Sequence, residues 1–123
     1  MAVETSALVF QNYIAGKWVP AAGGKTFPRE NPADWRQTVG LAQDSGPEEV
    51  AQAVEAAAAA LPSWRSLSAV VRGEYLRRAA DALERRAEDV ARTMTREMGK
   101  TIGEARAETL RGVTILRYYA GEG

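Results

Sequence analysis

The triplet Gly99-Lys100-Thr101, inside "MTREMGKTIGEAR" (Met94 to Arg106), is where residue types and spacing first suggest a chemistry. A phosphate-binding P-loop reads GxxxxGK[ST], because a glycine-rich turn must wrap backbone N–H groups round the phosphates between a buried strand and a helix. Here Met94 stands where the first glycine belongs. The segment before it, Ala79 to Met98, carries Ala, Leu, Arg and Glu at helical spacing, so no strand feeds the loop. Gly99 instead suits a helix C-cap that needs positive φ, and Lys100 suits the carbonyl end of that helix.

Other chemistries fall to composition. The chain has no cysteine and no histidine, which removes thiol nucleophiles, disulfides, imidazole bases and the usual zinc ligands together. The carboxylates are dispersed; Glu88 and Asp89, adjacent on a helix, point to different sides and form no acid/base couple. Sixteen basic and sixteen acidic residues cancel, leaving no electrostatic case for nucleic acid or an anionic membrane. Within 123 residues, one domain's worth, no stretch approaches the roughly 20 apolar residues of a membrane span. "MAVETSALVF" lacks a basic region followed by a long apolar run, and a soluble cytoplasmic chain is the default expectation.

The elements that must position any site come in two styles. "NYIAGKWVPA" sets Tyr13 and Ile14, then Trp18 and Val19, about Ala15-Gly16-Lys17, which suggests a hairpin. Phe27 before a proline, an Asn31-Pro32 turn, and Thr38, Val39 and Leu41 as another short strand continue the pattern. Pro28 and Pro32 confine these strands to an edge or a small ribbon.

At Ser45 the period changes. Ser45-Gly46-Pro47-Glu48 matches a capping box, and Val50, Ala53, Val54, Ala57, Ala58 and Leu61 follow on one helical face, giving a tightly packed helix that Pro62 ends. From Ser68 a second stripe carries Leu76, Ala79, Ala80, Leu83, Ala87, Val90, Ala91, Met94 and Met98. Its opposite side pairs Glu74/Arg78, Asp81/Arg85 and Glu88/Arg92 at i,i+4. That pattern is too long for one ordinary helix, so a break is expected near Arg86 to Glu88, although no Gly or Pro marks it. The last segment turns apolar on several sides at Leu110, Val113, Ile115, Leu116, Tyr118 and Tyr119, as a helix surrounded by other elements would, and the ending reads like a cut chain.

In order, "YIAGKWV", "NPAD", the alanine helix closing on Trp64, "RGEYLRRAADALERR", "EMGKTIGEARAE" and "LRYYAGEG" resemble the N-terminal quarter of the NAD(P)-dependent aldehyde dehydrogenases, from Tyr13 onward. Glu97-x-Gly99-Lys100, Glu104-Ala105 and Tyr118-Tyr119-Ala120 carry the resemblance in combination. "MTREMGK" and "YAGEG" look most like the branch acting on semialdehydes such as α-ketoglutaric semialdehyde.

The resemblance implies a loose N-terminus over residues 1–8, a β hairpin or ribbon over 9–44, and a helical segment over 45–123 that packs on the cofactor-binding domain of a longer enzyme. The fold class is α+β as the chain stands, a small antiparallel ribbon followed by about four α-helices, and part of the α/β dehydrogenase fold cut before its dinucleotide-binding sheet. Ala107, Arg111 and Ile115 match positions at the mouth of the substrate tunnel, where Arg111 could meet a semialdehyde's distal carboxylate or simply face solvent. Glu97 and the backbone carbonyl of Glu30 match ligands of a structural monovalent cation; a plain salt bridge is the alternative for Glu97.

Family chemistry needs a cysteine thiolate, a glutamate that activates water, an oxyanion-stabilising asparagine and dinucleotide-binding strands. All of these come after this region. NAD or NADP would therefore serve the complete, homo-oligomeric enzyme, with none bound by this chain alone. Three readings follow: a dehydrogenase segment whose partner is the rest of its chain, a free-standing helical interaction module, and an independent small enzyme. Site chemistry disfavours the last.

Overall fold

The computed structural model describes residues 8–122, so most of the segment expected to be loose lies outside them. Their order is β1 (Asn12–Ile14), β2 (Lys17–Val19), β3 (Thr26–Asn31), β4 (Asp34–Gln43), α1 (Pro47–Ser66), α2 (Ala69–Arg85), α3 (Ala87–Met98) and α4 (Ile102–Tyr119). The expected α+β order is present, with two separate antiparallel ribbons, β1–β2 and β3–β4. The chain divides into two compact units, the first ending at Leu61 and the second beginning at Pro62. None of the described helices is long and apolar enough to cross a membrane.

In the first unit, Ile14 pairs with Lys17, leaving a two-residue turn in which Ala15 (φ 51°) and Gly16 (φ 79°) are both left-handed. Positive φ at both positions matches the right-handed twist of the strands. Tyr13 and Trp18 face each other across this ladder with ring centroids 4.8 Å apart. The second ribbon turns at Pro32-Ala33, where the Ala33 N–H donates to Asn31 Oδ1 at 2.9 Å. Its returning strand is longer than the short one expected at Thr38 to Leu41, running from Asp34. Pro28 pairs with Leu41 in a sheet of only two strands, an edge position where a missing N–H is tolerated. On β4's other side, Leu8 to Phe10 run parallel to it: the Leu41 N–H donates to the Leu8 carbonyl and the Phe10 N–H to the Leu41 carbonyl, each at 2.8 Å.

The start of α1 is displaced by one residue from the expected capping box. The Gly46 N–H donates to Glu49 Oε2 at 2.6 Å, and the Ala22 N–H donates to Glu49 Oε1, also at 2.6 Å. Glu49 thus satisfies an orphan N–H of the helix and a loop N–H at once, and it is buried to 7% exposure. Those two N–H groups, Ala22's first, hold its carboxyl below the ordinary range, while burial opposes them. Ser45 instead accepts from Asn12 Nδ2 at 2.8 Å. The tertiary partner at Ala22 decides between Glu48 and Glu49, and sequence spacing cannot see it.

Helix α1 also continues through Pro62 to Ser66 rather than ending there. A proline inside a helix strips the carbonyl four residues earlier of its donor, and here Ala58 is exposed, where that carbonyl need not be paired within the protein. The expected tight packing of α1 is not found: Val50, Val54 and Leu61 are all exposed.

The second unit is built from α2, α3 and α4. Ser68 caps α2, its hydroxyl accepting from the Val71 N–H. The long stripe breaks where expected, at Arg86, whose φ of −107° and ψ of 12° leave the helical region. Ala80, Ala91 and Ala105 are fully buried between helices, with Val113 and Thr109 nearly so. Gly73 lets α2 reach the end of α4, for a Cβ there would overlap the Ala120 carbonyl. Of the expected exposed pairs, Glu74/Arg78 and Glu88/Arg92 form. Asp81 does not pair with Arg85; it turns to Arg117 of α4, at 3.0 Å, where Glu84 adds a second carboxylate.

Alanine is the better helix former, so Gly73→Ala tests the contact by sign. Overpacking should destabilise the protein by about 1–3 kcal/mol in chemical denaturation, whereas free space would give a gain of about 0.5–1 kcal/mol.

Candidate functional site

The Gly-Lys-Thr triplet joins two helices, and each residue has a structural task. Gly99 caps α3 in the left-handed conformation (φ 72°, ψ 7°), its N–H donating to the Thr95 carbonyl at 2.9 Å. Thr101 caps α4 in a full capping box: its hydroxyl accepts from the Glu104 N–H, and Glu104 Oε2 accepts from the Thr101 N–H at 3.1 Å. The spacing Thr-x-x-Glu is the sequence signal of that box, here hidden inside the apparent phosphate-loop triplet. Lys100, which follows the Gly99 cap, donates from Nζ to Glu108 Oε2 at 2.6 Å, in the second turn of α4. With strand absent on both sides and its cation engaged, the triplet is not a phosphate cradle.

What the corner positions is the outer face of α4. At about 100° per residue, Ala107, Arg111 and Ile115 each lie two residues beyond the buried Ala105, Thr109 and Val113. They therefore sit roughly 200° round the helix, and all three are exposed. The row expected to act together does share one face. Among the three arginines of α4 the charges are disposed differently. Arg106 holds both oxygens of Glu88, Nε to Oε2 at 2.8 Å and Nη2 to Oε1 at 2.9 Å. Arg117 holds Asp81 and Glu84. Arg111 makes no hydrogen bond or ion pair to the described residues.

The pairings leave an electrostatic signature. Arg106 first, then Arg92, pull the Glu88 carboxyl down to about 2 against the opposing effect of burial. Glu88 therefore stays charged throughout the neutral range. Its contribution to folding is complete above the ordinary 4.5 and is lost only as pH falls through about 2. Both arginines in these pairs, Arg106 and Arg117, are pushed up by their carboxylates.

The two residues expected at a cation site fall in different units. Glu30 is exposed in β3, bracketed by two register shifts of the β3–β4 ladder, and Glu97 is half-buried in the last turn of α3. No group of three or more acidic side chains that could hold a metal ion occurs among the described residues.

The profile of the aldehyde dehydrogenase family matches residues 18–123. The chain belongs to the aldehyde dehydrogenase family. It is 49% identical over all 123 residues to an α-ketoglutaric semialdehyde dehydrogenase of Bacillus subtilis (strain 168), covering 25% of that protein. With a glutarate-semialdehyde dehydrogenase of Pseudomonas putida it shares 38% identity over 112 residues, 91% of this chain and 23% of that one. The crystal structure of an NAD-dependent aldehyde dehydrogenase from Sinorhizobium meliloti superposes with a TM-score of 0.90 at 30% identity, over 94% of this chain and 24% of that one. The chain thus spans about a quarter of the length of the dehydrogenases it matches, and its ribbons and helices are part of the aldehyde dehydrogenase fold.

The corner of that fold depends on Gly99 adopting a left-handed conformation that residues with a Cβ reach only at a cost. Gly99→Ala should cost about 1–2 kcal/mol of stability, and Gly99→Asn less, because asparagine tolerates the left-handed region. Equal stability of Gly99→Ala and the parent in a denaturant titration would contradict the cap.

Proposed function

We propose that this chain is the N-terminal part of a dehydrogenase that oxidises a semialdehyde to the corresponding dicarboxylic acid with NAD or NADP, and that Arg111 binds the carboxylate at the far end of the substrate. The identity of 49% along the whole chain with an α-ketoglutaric semialdehyde dehydrogenase carries the reading. Both relatives act on molecules that, by name, bear a carboxylate besides the aldehyde. A guanidinium suits such a group because its planar fork gives two parallel hydrogen bonds. Arg111 is the arginine of α4 with that fork uncommitted among the described residues, on the exposed row with Ala107 and Ile115. Those two would line the passage and shape it.

The nicotinamide cofactor does not fit this chain's own residues. A dinucleotide needs glycines at a strand-to-helix turn, yet the described strands belong to two antiparallel ribbons. The glycines at positive φ are Gly16 in a hairpin, Gly24 in a loop turn and Gly99 at a helix cap. With no cysteine in the sequence, the thiolate of the family's chemistry must also come from elsewhere. The chain alone should neither bind NAD or NADP nor reduce them. Calorimetric titration with either cofactor checks the first half, and turnover above a no-protein blank would contradict the second.

In a complete dehydrogenase carrying this segment, Arg111→Gln should raise KM for α-ketoglutaric semialdehyde by about ten- to a hundredfold, the loss of one charge-assisted pair. KM for an uncharged aldehyde of similar length should stay put. Equal changes for both substrates would sink the carboxylate role.

A further inference from the structure

Helix α4 is tied to its neighbours from both flanks of its buried stripe. Taking the middle of Ala105, Thr109 and Val113 as zero, Arg106 and Arg117 fall about 60–80° to one side, and Glu108 about 100° to the other, at about 100° per residue. On the first flank Arg106 grips Glu88 of α3 with two hydrogen bonds, and Arg117 bridges Asp81 and Glu84 of α2, its Nη2 lying 2.6 Å from Glu84 Oε2. On the second, Glu108 meets Lys100 at 2.6 Å. The stripe itself is alanine, threonine and valine. The flanking ion pairs add directional ties to this stripe of small side chains.

From these ties we infer that Arg106 and Arg117 are positioning residues for Arg111: they fix the rotation of α4 about its axis and so aim the Arg111 guanidinium at the substrate carboxylate. The inference rests on the carboxylate role proposed for Arg111. Arg111 stands on the far side of the helix from the stripe, and its long side chain carries the guanidinium far from the axis, where a given turn displaces it more than it displaces the short buried side chains. Bidentate recognition tolerates only about 10–20° of misorientation. Exposed ion pairs contribute little to folding one by one, so their loss should be felt in aim rather than in stability.

The test uses a complete dehydrogenase with α-ketoglutaric semialdehyde and an uncharged aldehyde of similar length. Arg117→Gln should raise KM for the semialdehyde about three- to tenfold while kcat stays within about twofold. KM for the uncharged aldehyde and the melting temperature should hold. The pair Asp81→Asn with Glu84→Gln, which leaves Arg117 intact, should reproduce this split, and Arg117→Lys, which keeps an ion pair, should restore most of the affinity. Parallel assays of Arg111→Gln separate the two claims. If Arg111→Gln discriminates against the semialdehyde and Arg117→Gln does not, the positioning inference is wrong and the carboxylate role stands. A loss shared equally by both substrates in Arg117→Gln would mark a merely structural pair and also overturn it. If Arg111→Gln is silent, the carboxylate role falls and the positioning inference with it.

Discussion

The second unit depends on how closely alanine and glycine let three helices approach. No large side chain is fully buried among the described residues; Ala80, Ala91 and Ala105 are, and Gly73 lies against the Ala120 carbonyl. Such a core gains less from burial per residue than one of leucine or phenylalanine, because the hydrophobic contribution scales with the apolar area removed from water. Short interhelical distance gives something in exchange: it brings the polar rims of the helices within reach of one another. Arg106 and Arg117 can then span to α3 and α2, where a wider separation would leave them as solvated single charges. The ion pairs are thus a consequence of the alanine core, and the outward face of α4 is a consequence of both.

The Gly-Lys-Thr corner follows the same logic. It resembles a phosphate loop only as a string of letters. One residue ends α3 by left-handed backbone, the next pairs with the second turn of α4, and the third caps α4. All three act to change the direction of the chain within a single short connection. This places Ala107, Arg111 and Ile115 on the side of α4 away from α2 and α3.

Much of this was legible in the sequence where the cause is local. The Ala15-Gly16 hairpin, the Gly99 cap and the shared face of Ala107, Arg111 and Ile115 follow from backbone preference or helical period, and the break at Arg86 from a stripe too long for one ordinary helix. Two of the misreadings come from partners distant along the chain. Glu49 displaced Glu48 at the start of α1 because Ala22 lies 27 residues away in sequence and offers a second N–H. Asp81 left Arg85 for Arg117, 36 residues on. Pro62 did not stop α1, since the carbonyl it orphans lies in an exposed stretch. Local pairing rules count the neighbours a residue could have; the fold selects among them.

Recognition of the substrate carboxylate depends on where the outer face of α4 points, and a structure would read that directly. In a crystal of a complete dehydrogenase carrying this segment, grown with the dicarboxylate product of α-ketoglutaric semialdehyde oxidation, the Arg111 guanidinium should lie within about 3 Å of the product's distal carboxylate. Arg106 and Arg117 should keep their pairs with Glu88 and with Asp81 and Glu84. A product bound with its distal carboxylate held by other residues, and Arg111 turned to solvent, would contradict it.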